Sequence, residues 1–433
     1  VERRGLAQRL VRLMANLVYR DIDVHLPAGT MPGGPVLAVA NHFGGLSDGV
    51  LLIDSSPRMP RVVARDVIWK VPVVGRLASA IGMIPVHRAA DGSKGSNDET
   101  FASAYRALGA GDLVLIFPEG VTQDVPHMAQ VRTGAARIAL GARASGVSGI
   151  SVLPIGVHYE NKSGFRTRAL VQVGEPIDLD AWADGRPDGV RGGADDRDAV
   201  RDLTALVDER LRRVAPDFPD WATAHALHTA AEVLLTDVAP LPAAQMQYGD
   251  VELLASRLNR VAEPDRSALV EAAAQYRGAL RAGGTSDRAV ATANAAPARS
   301  WRWLGELLLV LALVPVALLG LMAALVPILL VTVVSRLPIA PAVRATAVPG
   351  VALLAFGGEW ALFSWQSLRN GGWDLGLAAV LLFPFFVANL FLVQERVVLL
   401  WRRWGSRRRP RAGELPVLVG ARAAVAGRGW AAL

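Results

Sequence analysis

The sequence predicts an α/β domain with a mainly parallel sheet, a helical region after it, and a membrane-embedded helical region towards the C-terminal end. Three observations lead there. From about Val24 to Leu179 short apolar runs alternate with helix-period segments. Beyond Ala199 the apolar residues Leu203, Leu206, Val207 and Leu211 fall at helical spacing. The last third carries apolar runs near the length of a bilayer crossing.

Composition narrows the function classes. A chain of 433 residues exceeds one ordinary domain. It has no cysteine, which excludes disulfides, thiolate nucleophiles and cysteine-zinc sites. The net charge is +7, carried almost wholly by arginine, and no basic patch is interleaved with aromatics, so a nucleic-acid partner is not expected. A mean hydropathy of +0.31 is high for a water-soluble chain and originates in the final third.

Taken in order, residues 1–23 read as an amphipathic helix, with Leu6, Leu10, Leu13, Met14 and Leu17 among Arg3, Arg4, Arg9 and Arg12. Such a helix either packs on its own domain or lies on anionic lipid. The α/β domain spans 24–182. Its candidate strands are Val36–Ala40, Arg61–Ala64, Met83–Val86, Leu113–Phe117, Ser151–Gly156 and Leu170–Val173. Its candidate helices include Asp48–Ile53, Glu99–Leu108 and Thr133–Ala144. The Gly- and Asp-rich stretch Asp184–Asp198 reads as a mobile linker. Residues 199–282 read as a helical domain, where His225 and His228 lack an evident third metal ligand, so no metal site is expected. Gly283–Ser300 is a small-residue linker.

Residues 304–404 read as membrane. Leu304–Val334 is 31 residues long and interrupted by Pro315 and Pro327. It would extend roughly 46 Å as one helix, so a re-entrant hairpin broken at its prolines is expected. Val348–Trp365 and Leu375–Val393 read as true spans. Residues 405–433 form a basic tail; Arg402, Arg403, Arg407, Arg408, Arg409 and Arg411 cluster at its start. No export signal is seen, so the α/β domain is expected at the cytoplasmic face of the cell membrane. The positive-inside rule draws the arginine cluster to the same face of a multi-pass protein.

Four blocks carry chemistry. His42 follows the apolar run Val36–Ala40, and Asp48 follows His42 after five intervening residues. Asp48 is also placed to cap the helix after it. A carboxylate that orients an imidazole makes a general base for an alcohol. Arg88 ends the block Gly82–Arg88, where a guanidinium at a strand end is suited to phosphate, although a solvated loop arginine has the same signature. Phe117-Pro118-Glu119-Gly120 forms a turn after an apolar run. Its glycine lets an amide approach an anion, and Glu119 suits a hydroxyl or an arginine of an acceptor pocket. Val152-Leu153-Pro154-Ile155-Gly156 shapes a strand beneath the site.

The order N-H…D, G-x-I-P-V-x-R, F-P-E-G and V-x-P-I-G resembles the PlsC-like glycerolipid acyltransferases. The chain is most similar to the fungal-type glycerol-3-phosphate/dihydroxyacetone-phosphate subgroup. Phe117–Asp124, the Thr133–Leu140 helix, Phe165–Arg168 and Gly174–Ile177 resemble that subgroup's blocks, as does the five-residue spacer between His42 and Asp48. Thr122 and Gln123 stand where the subgroup has Ser-His, and Arg65 and Arg132 where relatives often carry lysine.

This resemblance implies a mixed sheet flanked by helices, with a helical insert and a C-terminal transmembrane region. It implies a membrane-bound O-acyltransferase that moves an acyl group from acyl-CoA or acyl carrier protein to the sn-1 hydroxyl of glycerol 3-phosphate or to dihydroxyacetone phosphate. No bound cofactor or metal is implied beyond the thioester co-substrate; the remaining partners are membrane lipids. His42 is then the base and Asp48 its orienting group, with Arg88, Arg65, Glu119 and Gly120 around the acceptor phosphate. A lysophosphatidate or other lysophospholipid acyltransferase would use the same pair. A silent lipid-binding scaffold is the reading from another class, and an intact His-Asp pair argues against it.

Overall fold

The computed structural model describes residues 2–26, 31–70, 72–87, 97–122, 124–186, 190, 192–238, 246–291, 302–405 and 413–433. The N-terminal amphipathic spacing builds α1 (Glu2–Val18), whose apolar side packs on its own domain. Ala15 and Val18 are buried there, and Gln8 Nε2 donates to the Ser56 carbonyl at 2.8 Å. Arg9, Arg12 and Leu13 remain exposed. The helix stops at Val18, short of the expected boundary at 23, and β1 (Tyr19–His25) follows directly. Arg20, Asp21 and Asp23 give this edge strand too polar a pattern to register as an apolar run.

Strands and helices then alternate as β2 (Val36–Ala40), α2 (Leu46–Ser55), β3 (Arg61–Arg65), α3 (Pro72–Ile81), β4 (Ile84–Val86), α4 (Asp98–Gly109) and β5 (Leu113–Ile116). After these come α5 (Gly134–Ala144), β6 (Ser151–Tyr159), β7 (Thr167–Val173), β8 (Ile177–Asp178), α6 (Leu179–Asp184) and α7 (Arg197–Arg212). One mixed sheet forms in the order β1-β7-β6-β2-β5-β3-β4, with β8 added to β6. The β6–β7 and β6–β8 pairs are antiparallel and the others parallel, which is the mainly parallel α/β architecture expected.

Strand β2 lies between β5 and β6 and is wholly buried, as a continuous apolar run requires. Its side chains alternate between two cores. Leu37 and Val39 face the core shared with α4, α5 and α7, while Val36, Ala38 and Ala40 face the core shared with α2. Because β2, β3, β4 and β5 are parallel, the loops after them leave from one edge of the sheet. Ligands of open α/β sheets bind at such an edge.

Two expected boundaries move. Helix α7 buries Ala199, Leu203, Val207 and Leu211 in the α/β core, so the first unit runs to Asp217 and the helical region starts at Phe218, not at 199. Helical spacing alone cannot say which core a helix serves. Among the described residues of the stretch 184–198, Asp184 bonds Arg143 at 2.6 Å and Val190 is buried, which is more tied down than a linker; residues 187–189 and 191 lie outside the described residues.

The second unit comprises 218–338 and 347–433. Helices α8 (Trp221–Val238), α9 (Tyr248–Asn259), α10 (Asp265–Ala282) and α11 (Asp287–Ala291) pack around Leu227, Leu234, Leu269 and Tyr276. The short α11 falls inside the expected linker 283–300 because Asp287 is buried, accepting from Tyr276 Oη at 2.7 Å and from Arg422 Nε at 3.0 Å.

The apolar helices are α12 (Arg302–Ala323), α13 (Leu325–Arg336) and α14 (Pro341–Gly405). Helix α12 runs unbroken through Pro315, and the break falls at Ala324, not at either proline. Leu304–Ala323 is long and apolar enough to cross a membrane, as is the stretch Thr346–Val398. In α14 the backbone leaves helical geometry at Gly372, with φ 76° and ψ −171°. The two arms fold back on each other there: Phe356 meets Phe391 and Phe363 meets Phe383, at 6.0 and 6.2 Å between centroids. Trp360 Nε1 also donates to the Val380 carbonyl at 3.1 Å. Only glycine adopts such a backbone without strain.

The expected basic tail contains a helix, α15 (Leu415–Ala432), which buries Leu418, Val425 and Ala426 in the core of the second unit. Arg407, Arg408, Arg409 and Arg411 lie outside the described residues.

His228 marks how this unit responds to pH. Its Nε2 meets the buried Glu252 carboxylate at 2.5 Å, and its Nδ1 meets the Ala224 carbonyl. Burial opposes charge on the ring, but the Glu252 carboxylate outweighs it and raises the His228 pKa from 6.5 to about 9. A raised pKa stabilises the fold fully below about 6.5, and that contribution is lost as pH rises through 9. Thermal unfolding of the detergent-solubilised chain is expected to show the second unit losing stability between these values. His228→Gln should flatten that dependence, and an unchanged profile in the variant would refute the assignment.

Candidate active site

Strand β2 ends at Ala40, and Asn41 fastens its exit to β6. Asn41 Oδ1 accepts from Val157 N–H at 2.7 Å, and Asn41 Nδ2 donates to the Val157 carbonyl at 3.0 Å. The next residue is thereby presented from a fixed point. His42 Nδ1 lies 2.8 Å from Asp48 Oδ2, and Asp48 is fully buried at the start of α2. A carboxylate only accepts, so the proton of a neutral His42 sits on Nδ1 and the lone pair on Nε2. The imidazole stacks on Phe117 with centroids 4.3 Å apart, while its side chain stays 22% exposed. It is therefore held on one side and open on the other.

Asp48 does not cap α2 with its side chain. Its carboxylate instead reaches back, accepting from Gly44 N–H at 2.9 and 3.0 Å and from Tyr159 Oη at 2.5 Å. A Cβ on Gly44 would lie 2.6 Å from Tyr159 Oη, so the loop admits only glycine at this point. Neither Asn41 nor Tyr159 was among the sequence-derived site residues. Tyr159 is detectable in principle: extending the Val152–Gly156 run by strand alternation puts Leu153, Ile155, Val157 and Tyr159 on one face.

Glu119 occupies a different place from the one expected of it. It is buried; Oε1 accepts from His42 N–H at 2.8 Å and Oε2 from Ala129 N–H at 2.7 Å. Each oxygen accepts from a backbone amide, so Glu119 braces the backbone that presents the His42 ring. Burial raises its pKa, against the two backbone donors and His42. The Gly120 amide, expected to face an anion, closes the Phe117–Gly120 turn on the Phe117 carbonyl at 3.1 Å, with φ +64° at the glycine. The open side of Gly120 meets the exposed Arg132 instead, whose Cδ and Nε would lie 3.5 Å from a Cβ there.

Arg65 is exposed at the end of β3, beside Val86 of β4. Next to it, Asp66 meets His87 Nδ1 at 3.1 Å, tying together the chain segments that leave β3 and β4. Arg88 lies outside the described residues.

The arrangement suits proton abstraction from a hydroxyl at His42 Nε2, on the edge where the loops after β2 and β5 meet. Residues 21–158 match the family model described as acyltransferase. This segment carries the chain's likeness to the acyltransferase family. It contains the His42–Asp48 pair and Glu119. Over 135 residues the chain is 33% identical to glycerol-3-phosphate O-acyltransferase 2 of Saccharomyces cerevisiae, covering 31% of this chain and 18% of the yeast protein. Over 133 residues it is 28% identical to lysophospholipid acyltransferase LPEAT1 of Arabidopsis thaliana, covering 30% of each. The crystal structure of the 1-acyl-sn-glycerophosphate acyltransferase PlsC of Thermotoga maritima aligns with a TM-score of 0.34 and 17% identity, over 48% of this chain and 80% of that one.

The Glu119 brace gives a direct test. Glu119→Gln leaves an amide N–H facing one of the two backbone donors. Losing a hydrogen bond to a charged group costs about 1.5–3 kcal/mol, so roughly a ten- to hundredfold fall in kcat is expected. The acceptor KM should change little. A rise confined to the acceptor KM would return Glu119 to the binding site.

Proposed function

We propose that this chain moves a fatty acyl group from acyl-CoA or acyl carrier protein to the sn-1 hydroxyl of glycerol 3-phosphate, or to the hydroxyl of dihydroxyacetone phosphate. The observation that carries this reading is an imidazole bound through Nδ1 to a buried carboxylate and open at Nε2. It sits in the segment that matches the acyltransferase family model, and the chain is similar over 135 residues to a yeast glycerol-3-phosphate O-acyltransferase.

In this mechanism His42 Nε2 takes the proton of the acceptor hydroxyl as its oxygen attacks the thioester carbonyl. The tetrahedral intermediate collapses, the C–S bond breaks, and the imidazolium returns the proton to the departing thiolate. Asp48 keeps the ring in the reactive tautomer and stabilises its charged form. A positioned base accounts for about 10²–10⁴-fold of rate, and orientation of the two substrates for much of the rest. The thioester is already activated, so we assign no bound cofactor. Arg65, Arg88 and Arg132 are our candidates for the acceptor phosphate; a guanidinium binds it as a fork.

A lysophospholipid acceptor is the second reading, favoured by the chain's likeness over 133 residues to the Arabidopsis lysophospholipid acyltransferase. Membranes containing the chain, given palmitoyl-CoA with glycerol 3-phosphate, dihydroxyacetone phosphate or a lysophospholipid, separate the two. Preferential turnover of either small phosphate supports our assignment, and turnover of the lysophospholipid alone replaces it. In that assay His42→Ala and Asp48→Asn should each lose activity on the order of 10²-fold or more. Near-normal turnover by His42→Ala would remove the base.

We further propose a multi-pass membrane protein with its acyltransferase domain on the cytoplasmic face, in which α12–α13 is re-entrant and the two arms of α14 cross. Residues 339–346 cluster with the first unit, where Thr346 Oγ1 accepts from Leu46 N–H at 3.4 Å. This supports an even number of crossings before residue 339. Two crossings by α14 then return the chain to the starting face, where positive charge is favoured. In sealed vesicles a protease site placed within 406–412 should be cut from the same face as the acyltransferase domain. Cleavage only from the opposite face would require an odd number of crossings.

A further inference from the structure

Behind the His42–Asp48 pair lies a chain of hydroxyls that the acyl-transfer mechanism above does not use. Tyr159, at the end of β6, donates to Asp48 Oδ1 at 2.5 Å, on the oxygen not facing His42. The proton of Tyr159 is committed to Asp48, so the hydrogen bond between Tyr159 and Tyr19 is donated by Tyr19. Tyr19 is buried at the start of β1, its ring centroid 6.2 Å from that of Tyr159, and Ser47 hydrogen-bonds its hydroxyl in turn. The run is Ser47, Tyr19, Tyr159, Asp48, His42, and Tyr159 donates to the carboxylate.

Two features mark this run as built. Gly44 has no Cβ at the point where one would lie 2.6 Å from Tyr159 Oη and 2.9 Å from Asp48 Oδ1. Tyr19 and Tyr159 stand just outside either end of the family segment 21–158, on β1 and β6, which are separated in the sheet by β7. The run is thus assembled by the order of strands in this chain's sheet.

We propose that Tyr159, supported by Tyr19, is a positioning residue that sets the basicity of His42 by sharing the charge of Asp48. The inference rests on His42 acting as the base. A hydroxyl donating to Asp48 draws charge away from the oxygen that faces the imidazole, and successive donors strengthen one another. Burial and the neighbouring Asp48 carboxylate raise the Tyr159 pKa well above the ordinary phenol value, and burial raises that of Tyr19. Both therefore remain donors throughout the working pH range. The titratable groups facing His42 and Asp48 are Tyr19 from β1, Tyr159 from β6 and Glu119 from the loop after β5; Glu119 is bonded to the His42 amide and is left in place by the test.

Removing the Tyr159 hydroxyl leaves Asp48 a fuller negative charge, which favours the imidazolium. In membranes assayed with palmitoyl-CoA and glycerol 3-phosphate, Tyr159→Phe should move the acidic limb of the kcat/KM–pH profile to higher pH by about half a unit or more. Turnover on the alkaline plateau should fall less than tenfold. Tyr19→Phe should move the limb the same way by a smaller amount, and it carries the test if Tyr159→Phe does not accumulate. A purely structural role would lower the plateau and the melting temperature and leave the limb in place, and that result overturns the inference. His42→Ala measured alongside keeps the two readings separate. If it retains activity the base itself is wrong, whereas an inactive His42→Ala with an unmoved limb in the tyrosine variants removes only the role given to Tyr159.

Discussion

A buried carboxylate must be supplied with donors by the protein, because no water reaches it. Asp48 is fully buried, and the geometry of the site follows from that requirement. Its donors come from three places: the Gly44 amide within its own loop, the Tyr159 hydroxyl at the end of β6, and the His42 ring. The loop can bring all three together because residue 44 has no side chain, and because Asn41 pins the end of β2 to β6. Glu119 fixes His42 from the opposite side through its backbone. Each contact is short-range, but the elements it joins are far apart in the chain.

The same economy explains why the site sits where it does. Strands β2 to β5 are parallel, so four loops with different chemistry leave one edge. The loop after β2 carries His42, the loop after β5 carries Glu119, and β3 ends at the exposed Arg65. In the proposed reaction a single histidine with a buried partner is enough for proton transfer.

The second unit follows different rules. Its helical core is closed by α15, whose Arg422 bonds Asp287, Asp237, Thr236 and the Val233 carbonyl. A guanidinium with this many acceptors locks several helices at once, so the segment after the apolar helices is a structural component. In the apolar region the reversal at Gly372 depends on a backbone conformation open to glycine, and paired phenylalanines hold the two arms together.

Sequence by itself determined a good deal. Apolar runs located β2, β5 and β6, because buried parallel strands need continuous apolar side chains. The spacing of His42 and Asp48 located the reactive pair, since both belong to one short loop and local geometry suffices to join them. What sequence could not decide were the contacts made across the sheet. Glu119 looked like a ligand-facing acid, and only the packing of the loop after β5 against the end of β2 revealed that each of its oxygens accepts from a backbone amide. Tyr19 and Tyr159 are 140 residues apart in the chain, and they meet because β7 brings β1 and β6 into one sheet. Helix α7 read as part of a helical domain until its apolar face was found in the α/β core. Periodicity reports that a face will be buried, and only the tertiary structure reports against what.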